Sequence, residues 1–502
     1  MEAELPFHLV HFVLGPHRLH GLLAARRVLE VRPLRGGGLR QEGGGEGRGG
    51  GGEGESGGAG ALHAPPNGAP ARAGTTSSGL SPVRESSITG ISDDRLRFGS
   101  SGTRIRSEGD AMGGNASGNG SAGAGAGVGV NGTVAAGWER VREEFAAFAA
   151  AEPHSPEAQL AVHHRGRRVV DLWAGEDTDG DTLSGVFSIT KGAAYLVVAL
   201  LVQDGTLDLD RPVSAYWPEF TGDGKERLTV RRLMSHQSGL INVDGGFDYD
   251  EIADDALIAA RLARQKPYWE PGTAYGYHAF VIGALTGEVV RRATGRTLRE
   301  LYEERVRAPY GLDLYMGLPA SEEGRWKPVL EMLRTPEQAA AEAAAGPVPE
   351  LLAVAFNWHR EPPMDLVTHA NHPRTRELGP ASAGGIGSAR GVAGLYAAAI
   401  SEVGSRPALL KPETAAEFAR LHTPGQEVLT GETDHFGLGF ERQPAVGPLA
   451  FGHCGAAGAQ GFADPVTGVA YGYTRRRFGF PGGIAPENGR LTAAVLEVAR
   501  SL

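Results

Sequence analysis

The sequence predicts an α/β domain. An antiparallel sheet is flanked by helices, joined to a mostly helical second subdomain and preceded by a disordered N-terminal region. Three observations carry this. Strand-like hairpins occur near both ends of 136–502, at 159–173 and 461–474. The stretch between them, about 215–380, is mostly helical with many loops. Residues 1–135 have the composition of an unfolded chain. Strands at both ends around a helical insert place the two ends in one shared sheet.

Taken in order, residues 36–61 are nearly all Gly, Glu, Arg and Ser, and 113–132 are mostly Gly, Ala, Ser and Asn. Such tracts cannot bury enough apolar surface to offset the entropy of ordering. The apolar run 7–14 is broken by His8 and His11 and lacks a basic n-region. It reads as neither a signal peptide nor a membrane span. From Ala136, Trp138, Val141, Phe145 and Phe148 recur at helical spacing. Residues 159–163 and 168–173 alternate as strands around the turn His164-Arg165-Gly166. An apolar helix over 188–203 stops at Gly205, where a left-handed residue ends helices. A helix over 388–400 and strands near 436–440 and 461–463 follow. A hairpin through 464–468 leads into 469–474, and a helix over 491–502 comes last.

At 502 residues there is chain for a large core. A net charge of −10 argues against a nucleic-acid partner. The single cysteine, Cys454, excludes an internal disulfide and a cysteine-based zinc site. It agrees with a reducing, cytoplasmic setting without requiring one.

Three segments carry candidate chemistry. In Phe187-Ser188-Ile189-Thr190-Lys191, Ser and Lys share one helix face, and the serine opens the helix. Free N–H groups and the dipole there favour developing negative charge. A desolvated lysine one turn on can take the serine proton. Lys191 is one of five lysines and has the only serine three residues upstream. Read alone, the pair is equally an N-cap serine beside a solvated lysine. In Pro271-Gly272-Thr273-Ala274-Tyr275-Gly276-Tyr277-His278, a tight turn precedes an apolar helix. Tyr277 at that junction can enter a cleft, whereas Tyr275 reads as a turn-capping aromatic. In Phe451-Gly452-His453-Cys454-Gly455-Ala456, strand alternation puts His453 and Gly455 on one face and Cys454 on the other. That disfavours Cys454 as a nucleophile working with His453. A cleft-facing Gly455 admits substrate close to the backbone, whose N–H groups can complete an oxyanion hole. Taken alone, this segment is more simply a strand-end histidine with a packing glycine.

These segments, in this order, resemble the serine β-lactamase/penicillin-binding-protein superfamily, in particular class C β-lactamases and family VIII carboxylesterases. Ser188 and Lys191 match its S-x-x-K. Pro271-Gly272-Thr273 followed by Tyr277 matches the tyrosine segment, and His453-x-Gly455 matches K-T-G or H-x-G. The stretch 228–240, LTVRRLMSHQSGL, is also similar, and there His236 is structural. The resemblance covers 136–502. It implies Ser188 as nucleophile, with Lys191, Tyr277 or both as base. It also implies Ser188 and Ala456 N–H groups as oxyanion donors and His453 as a substrate-positioning residue. No cofactor or metal is called for. Two departures stand out: Ala279 replaces an asparagine, and His453 a lysine. Both argue for an esterase or peptidase over a true β-lactamase.

The function expected is a serine hydrolase forming an acyl-enzyme on a small-molecule ester, with a D-amino-acid peptidase or weak β-lactamase as alternative. An interaction protein that kept only the fold is a third reading, opposed by intact Ser188, Lys191 and Tyr277. Nucleic-acid binding and stable membrane insertion are not expected, and the oligomeric state is left open. Two weaker signals are set aside. His163-His164 lacks a third ligand at metal-site spacing. The match to G-x-S-x-G at Gly54-Glu55-Ser56-Gly57-Gly58 has no flanking strand or helix.

Overall fold

The structure is a computed structural model that describes residues 129–502. The readings made for 1–128, including the glycine-rich tracts, the run 7–14 and the match at 54–58, lie outside the described residues.

The described strands are β1 (Asn131–Val134), β2 (Ala158–His164), β3 (Arg167–Ala174), β4 (Ser184–Phe187), β5 (Leu314–Tyr315), β6 (Gly385–Gly387), β7 (Glu441–Arg442), β8 (Phe451–Cys454), β9 (Gln460–Asp464) and β10 (Val469–Arg475). Seven form one sheet in the order β1-β3-β2-β10-β9-β8-β7, and β4-β6-β5 form a second. Every neighbouring pair is antiparallel. The register Val469↔His164 through Arg475↔Ala158 joins the two ends of the domain at the sheet's centre, as the hairpin pattern predicts.

Helix α1 (Glu139–Ala151) buries Val141, Phe145 and Phe148, the face its spacing predicts. It packs on one side of the sheet with the helix that closes the domain. Phe145 is fully buried, so its truncation to alanine costs about 3–5 kcal/mol. Helix α2 (Ile189–Gln203) is apolar nearly all round and buried from Ile189 to Leu201, as befits a helix inside a core. Helix α3 (Ala389–Ile400) lies against β2, β9 and β10 on the opposite side of the sheet from α1. Small residues set its approach: Ala389 and Ala393 meet Ala161. A Cβ on Gly472 would lie 2.5 Å from Ala393 N. With both faces covered, β2 and β10 are buried along their whole length. Helix α4 (Glu487–Ser501) starts four residues earlier than the sequence predicts. Between the sheet's two halves lies the helical region, including Asp255–Arg264 and Ile282–Thr294.

Two expectations are corrected. The boundary at 135 cuts too late, because β1 lies before it and pairs with β3 from Asn131↔Trp173 to Val134↔Val170. Four residues in a glycine-rich setting show no periodicity of their own; only the partner strand makes them a strand. The extended run near 436–440 is instead a loop leading into β7. Gly439 has a φ of +76°, and a Cβ there would meet the Tyr195 ring of α2 at 2.3 Å. The backbone turns at Gly439 to fit against α2. A chain starting at 136 is therefore expected to melt several degrees below one starting at 129, since each lost ladder bond is worth about 0.5–1.5 kcal/mol. Equal melting temperatures by calorimetry would show that β1 contributes nothing.

Candidate active site

The site is built where β4 runs into α2. Phe187, the last residue of β4, is not glycine yet has a φ of +50°. Such a conformation costs on the order of 1–3 kcal/mol and must be held by its surroundings. Thr190 holds it: its Oγ1 donates to Phe187 O (2.5 Å) and accepts from Gly385 N of β6 (2.8 Å). The turn delivers Ser188 to the N-cap position just before α2, where its hydroxyl caps no backbone group. The N-cap reading of Ser188 is thus half met: the position is right, but the side chain is free for other work.

Lys191 is completely buried, so the solvated-lysine reading fails. Its Nζ makes three contacts: Ala279 O (2.6 Å), Ser382 O (2.8 Å) and Ser188 Oγ (3.1 Å). Burial pushes its pKa down to about 7, with partial opposition from Glu441. A neutral amine has two N–H donors and one lone pair. Two carbonyls and one hydroxyl match that set, and three acceptors match the ammonium equally well. The nitrogen can therefore gain or lose a proton without moving.

Tyr277 reaches the same oxygen, Oη to Ser188 Oγ, at 2.7 Å. Burial, then the nearby Glu441, raises its pKa well above the usual phenol value. The ring stacks on Phe436, with centroids 5.8 Å apart, and Lys191 Nζ lies 4.8 Å from its centre. Tyr275 caps a turn through Gly425 O (2.6 Å), as its sequence position predicts. His236 is buried and accepts from His278 N (3.1 Å), a structural contact.

The third segment departs from strand alternation. β8 ends at Cys454, and Gly455 turns away to bond Ala459. A Cβ on Gly455 would sit 2.4 Å from Val186 O, so this glycine lets β8 close onto the chain just before Ser188 rather than admitting substrate. His453 is fully buried and does not line the cleft, while Cys454 and Ala456 do. Because the strand ends there, His453 Nδ1 and Cys454 Sγ do not face apart. Both lie 3.2 Å from Glu441 Oε1. Burial pushes His453 down to about 4, so a neutral ring makes that contact. The N–H groups of Ser188 and Ala456 are spent on no acceptor among the described residues.

These side chains open onto a cleft walled by Tyr277, Phe356 and Phe436 with Glu427, His435 and Glu441. No Lys or Arg lines it among the described residues. Sequence reading missed Glu441, His435, Ser382 and Phe356. Their elements are remote in the chain, and two of the groups on Lys191 are backbone carbonyls, which carry no side-chain signature. Burial tends to raise Glu441, but His453, His435 and Cys454 outweigh it and hold the carboxyl at about 2. Glu432 and Glu441 likewise overcome burial at His435 and raise it to about 10.

Residues 130–494 match the sequence profile described as Beta-lactamase. The chain belongs to the beta-lactamase family. It is a serine hydrolase of that family, in line with the S-x-x-K resemblance. The family chain is 32% identical over 336 residues to the "Esterase/beta-lactamase LipL" of Mycobacterium tuberculosis, which spans 63% of this chain and 76% of LipL. EstA from Arthrobacter nitroguajacolicus Rue61a superposes with a TM-score of 0.67 at 40% identity, over 73% of this chain and 98% of EstA. A crystal structure of a family VIII carboxylesterase superposes at 0.65 with 32% identity, over 74% of this chain and 100% of that one. No helix among the described residues is long and apolar enough to cross a membrane.

Proposed function

We propose that this chain is a carboxylesterase that cleaves small acyl esters in two steps through an acyl-enzyme on Ser188. One observation carries the reading: Ser188 Oγ lies between Lys191 Nζ and Tyr277 Oη, at 3.1 and 2.7 Å. Neutral Lys191 takes the serine proton as Oγ attacks the ester carbonyl carbon. Tyr277 stays protonated and donates to the same oxygen. The raised phenol makes it a proton relay to the leaving alkoxide rather than the base. The N–H groups of Ser188 and Ala456 receive the oxyanion, each worth about 3–4 kcal/mol of barrier. Water then enters the cleft, gives its proton to Lys191 and releases the acid. His453 supports the cleft wall from behind, and Gly455 serves packing.

The names of LipL and the family VIII carboxylesterase support ester hydrolysis, and LipL's name adds β-lactams as the second reading. The cleft favours esters. A β-lactam brings a carboxylate and an amide. Ala279 has no side-chain polar group to meet the amide, and its carbonyl is taken by Lys191. The cationic group on the cleft wall, His435, is already set between Glu432 and Glu441, at 2.9 and 3.9 Å. An unpaired buried polar group costs about 1–3 kcal/mol, and each ~1.4 kcal/mol is tenfold in rate. The expected result is that kcat/KM for p-nitrophenyl butyrate exceeds that for nitrocefin by two or more orders of magnitude on one preparation (roughly, from two such unmet groups). A preference for nitrocefin would overturn the esterase reading.

A further inference from the structure

We propose that Glu441, His453, Cys454 and His435 form a binding site for one thiophilic divalent cation, such as Zn2+, in the wall of the catalytic cleft. The carboxylate is already oriented: Glu441 Oε2 accepts from Cys454 N at 2.8 Å. That leaves Oε1 as the point where other donors meet. Cys454 Sγ and His453 Nδ1 each lie 3.2 Å from it, and His435 Nε2 lies at 3.9 Å. The ligand atoms of Glu441, His453 and Cys454 all fall within 4.8 Å of one another.

The contacts of Cys454 and His453 to Oε1, at 3.2 Å, are near the spacing of a tetrahedral ion, and His435 completes the set by closing in from 3.9 Å. Zn–S near 2.3 Å and Zn–N or Zn–O near 2.0–2.1 Å place ligand atoms roughly 3.3–3.8 Å apart. The donor types decide the metal. One sulfur, two imidazole nitrogens and one carboxylate oxygen select Zn2+, Co2+ or Cd2+ over Mg2+ or Ca2+. Sequence reading excludes a cysteine-based site because Cys454 stands alone; the tertiary structure supplies the remaining ligands from β7, β8 and the loop before β7. Access comes through the cleft, since Glu441, Cys454 and His435 line it. His453, fully buried, closes the site from behind. The cation takes the place of the thiol proton, and the proton that His453 Nδ1 now directs at Cys454 O (2.9 Å) and Glu441 Oε1 moves to Nε2 as the ring turns to ligate.

An ion held there shares the cleft with Ser188 and Tyr277. It narrows the space for the ester and draws Glu441 away from its present partners, so bound Zn2+ inhibits. Inhibition rests on the esterase reading; binding does not.

The test is a Co2+ titration of chelator-treated full-length protein. The expected result is saturation at one equivalent, with visible ligand-field bands and a thiolate-to-cobalt charge-transfer band. Cys454→Ser should lose the charge-transfer band and weaken Co2+ binding by more than the ~10–100-fold that even outer-sphere changes cost. Glu441→Gln, which keeps the side-chain size, should weaken binding too. Ser188→Ala should keep the full spectrum. In parallel, Zn2+ should lower wild-type p-nitrophenyl butyrate turnover, a chelator should restore it, and Cys454→Ser should lose this sensitivity. No saturable band, or an unchanged charge-transfer band in Cys454→Ser, overturns the site. A normal spectrum without inhibition overturns the blocking effect alone. A normal spectrum on a chain with no esterase activity supports the site and removes the esterase reading.

Discussion

Ser188→Ala is expected to lower kcat/KM for p-nitrophenyl butyrate by about four to six orders of magnitude, the scale seen when a hydrolase loses its nucleophile. Labelling by a fluorophosphonate probe should vanish with it. The motivation is geometric: this hydroxyl oxygen is touched by both Lys191 and Tyr277. The variant should fold normally. Ser188 makes no side-chain cap bond, and the cleft it lines can admit water to meet the two groups it leaves. A melting temperature within a degree or two of wild type is expected (roughly, from a loss below ~1 kcal/mol). Probe labelling that persists at full stoichiometry in Ser188→Ala would move the nucleophile elsewhere.

Lys191→Met should lower kcat by about 10²–10⁴-fold, the usual contribution of a positioned base, with a smaller change in KM. It should also destabilise, because Ala279 O and Ser382 O lose their donor in the core, at about 1–3 kcal/mol each. Those two effects are separable by pH. With the folded lysine at about 7, the neutral, accepting form is populated above that value and lost below it. Wild-type kcat/KM should therefore rise with pH through about 7 and level off. If Tyr277 were the base as a phenolate, the rise would come well above the ordinary phenol range, since its pKa is raised. In Lys191→Met the remaining activity should lose the limb near 7. A limb that survives the substitution assigns that ionisation to another group.

Much of the fold was legible because its signals are local. The α1 face is written in Trp138, Val141, Phe145 and Phe148. The hairpin turn is signalled by Gly166, which takes a positive φ; Arg165, also at positive φ, gives no such signal by its type. The pairing of Ser188 with Lys191 follows from helical periodicity. Each of these needs only the residues within a turn or a strand of one another.

What local pattern could not decide was what surrounds each group. Lys191 reads from sequence as solvated or buried with equal ease; only packing by remote segments strips its water and offers it the carbonyls of Ala279 and Ser382. Strand alternation aimed Cys454 away from His453, but alternation holds only while the strand continues, and β8 ends at Cys454. Glu441 stands beside that end because β7 pairs with β8 at Glu441↔Gly452. β1 became a strand only by pairing with β3. The sequence by itself determined which residues are candidates for the proposed acyl transfer and the local geometry of Ser188 with Lys191. Burial, and with it the proton affinity of Lys191 and the convergence on Glu441, was decided by the tertiary structure, because desolvation and charge act through space between segments far apart in the chain.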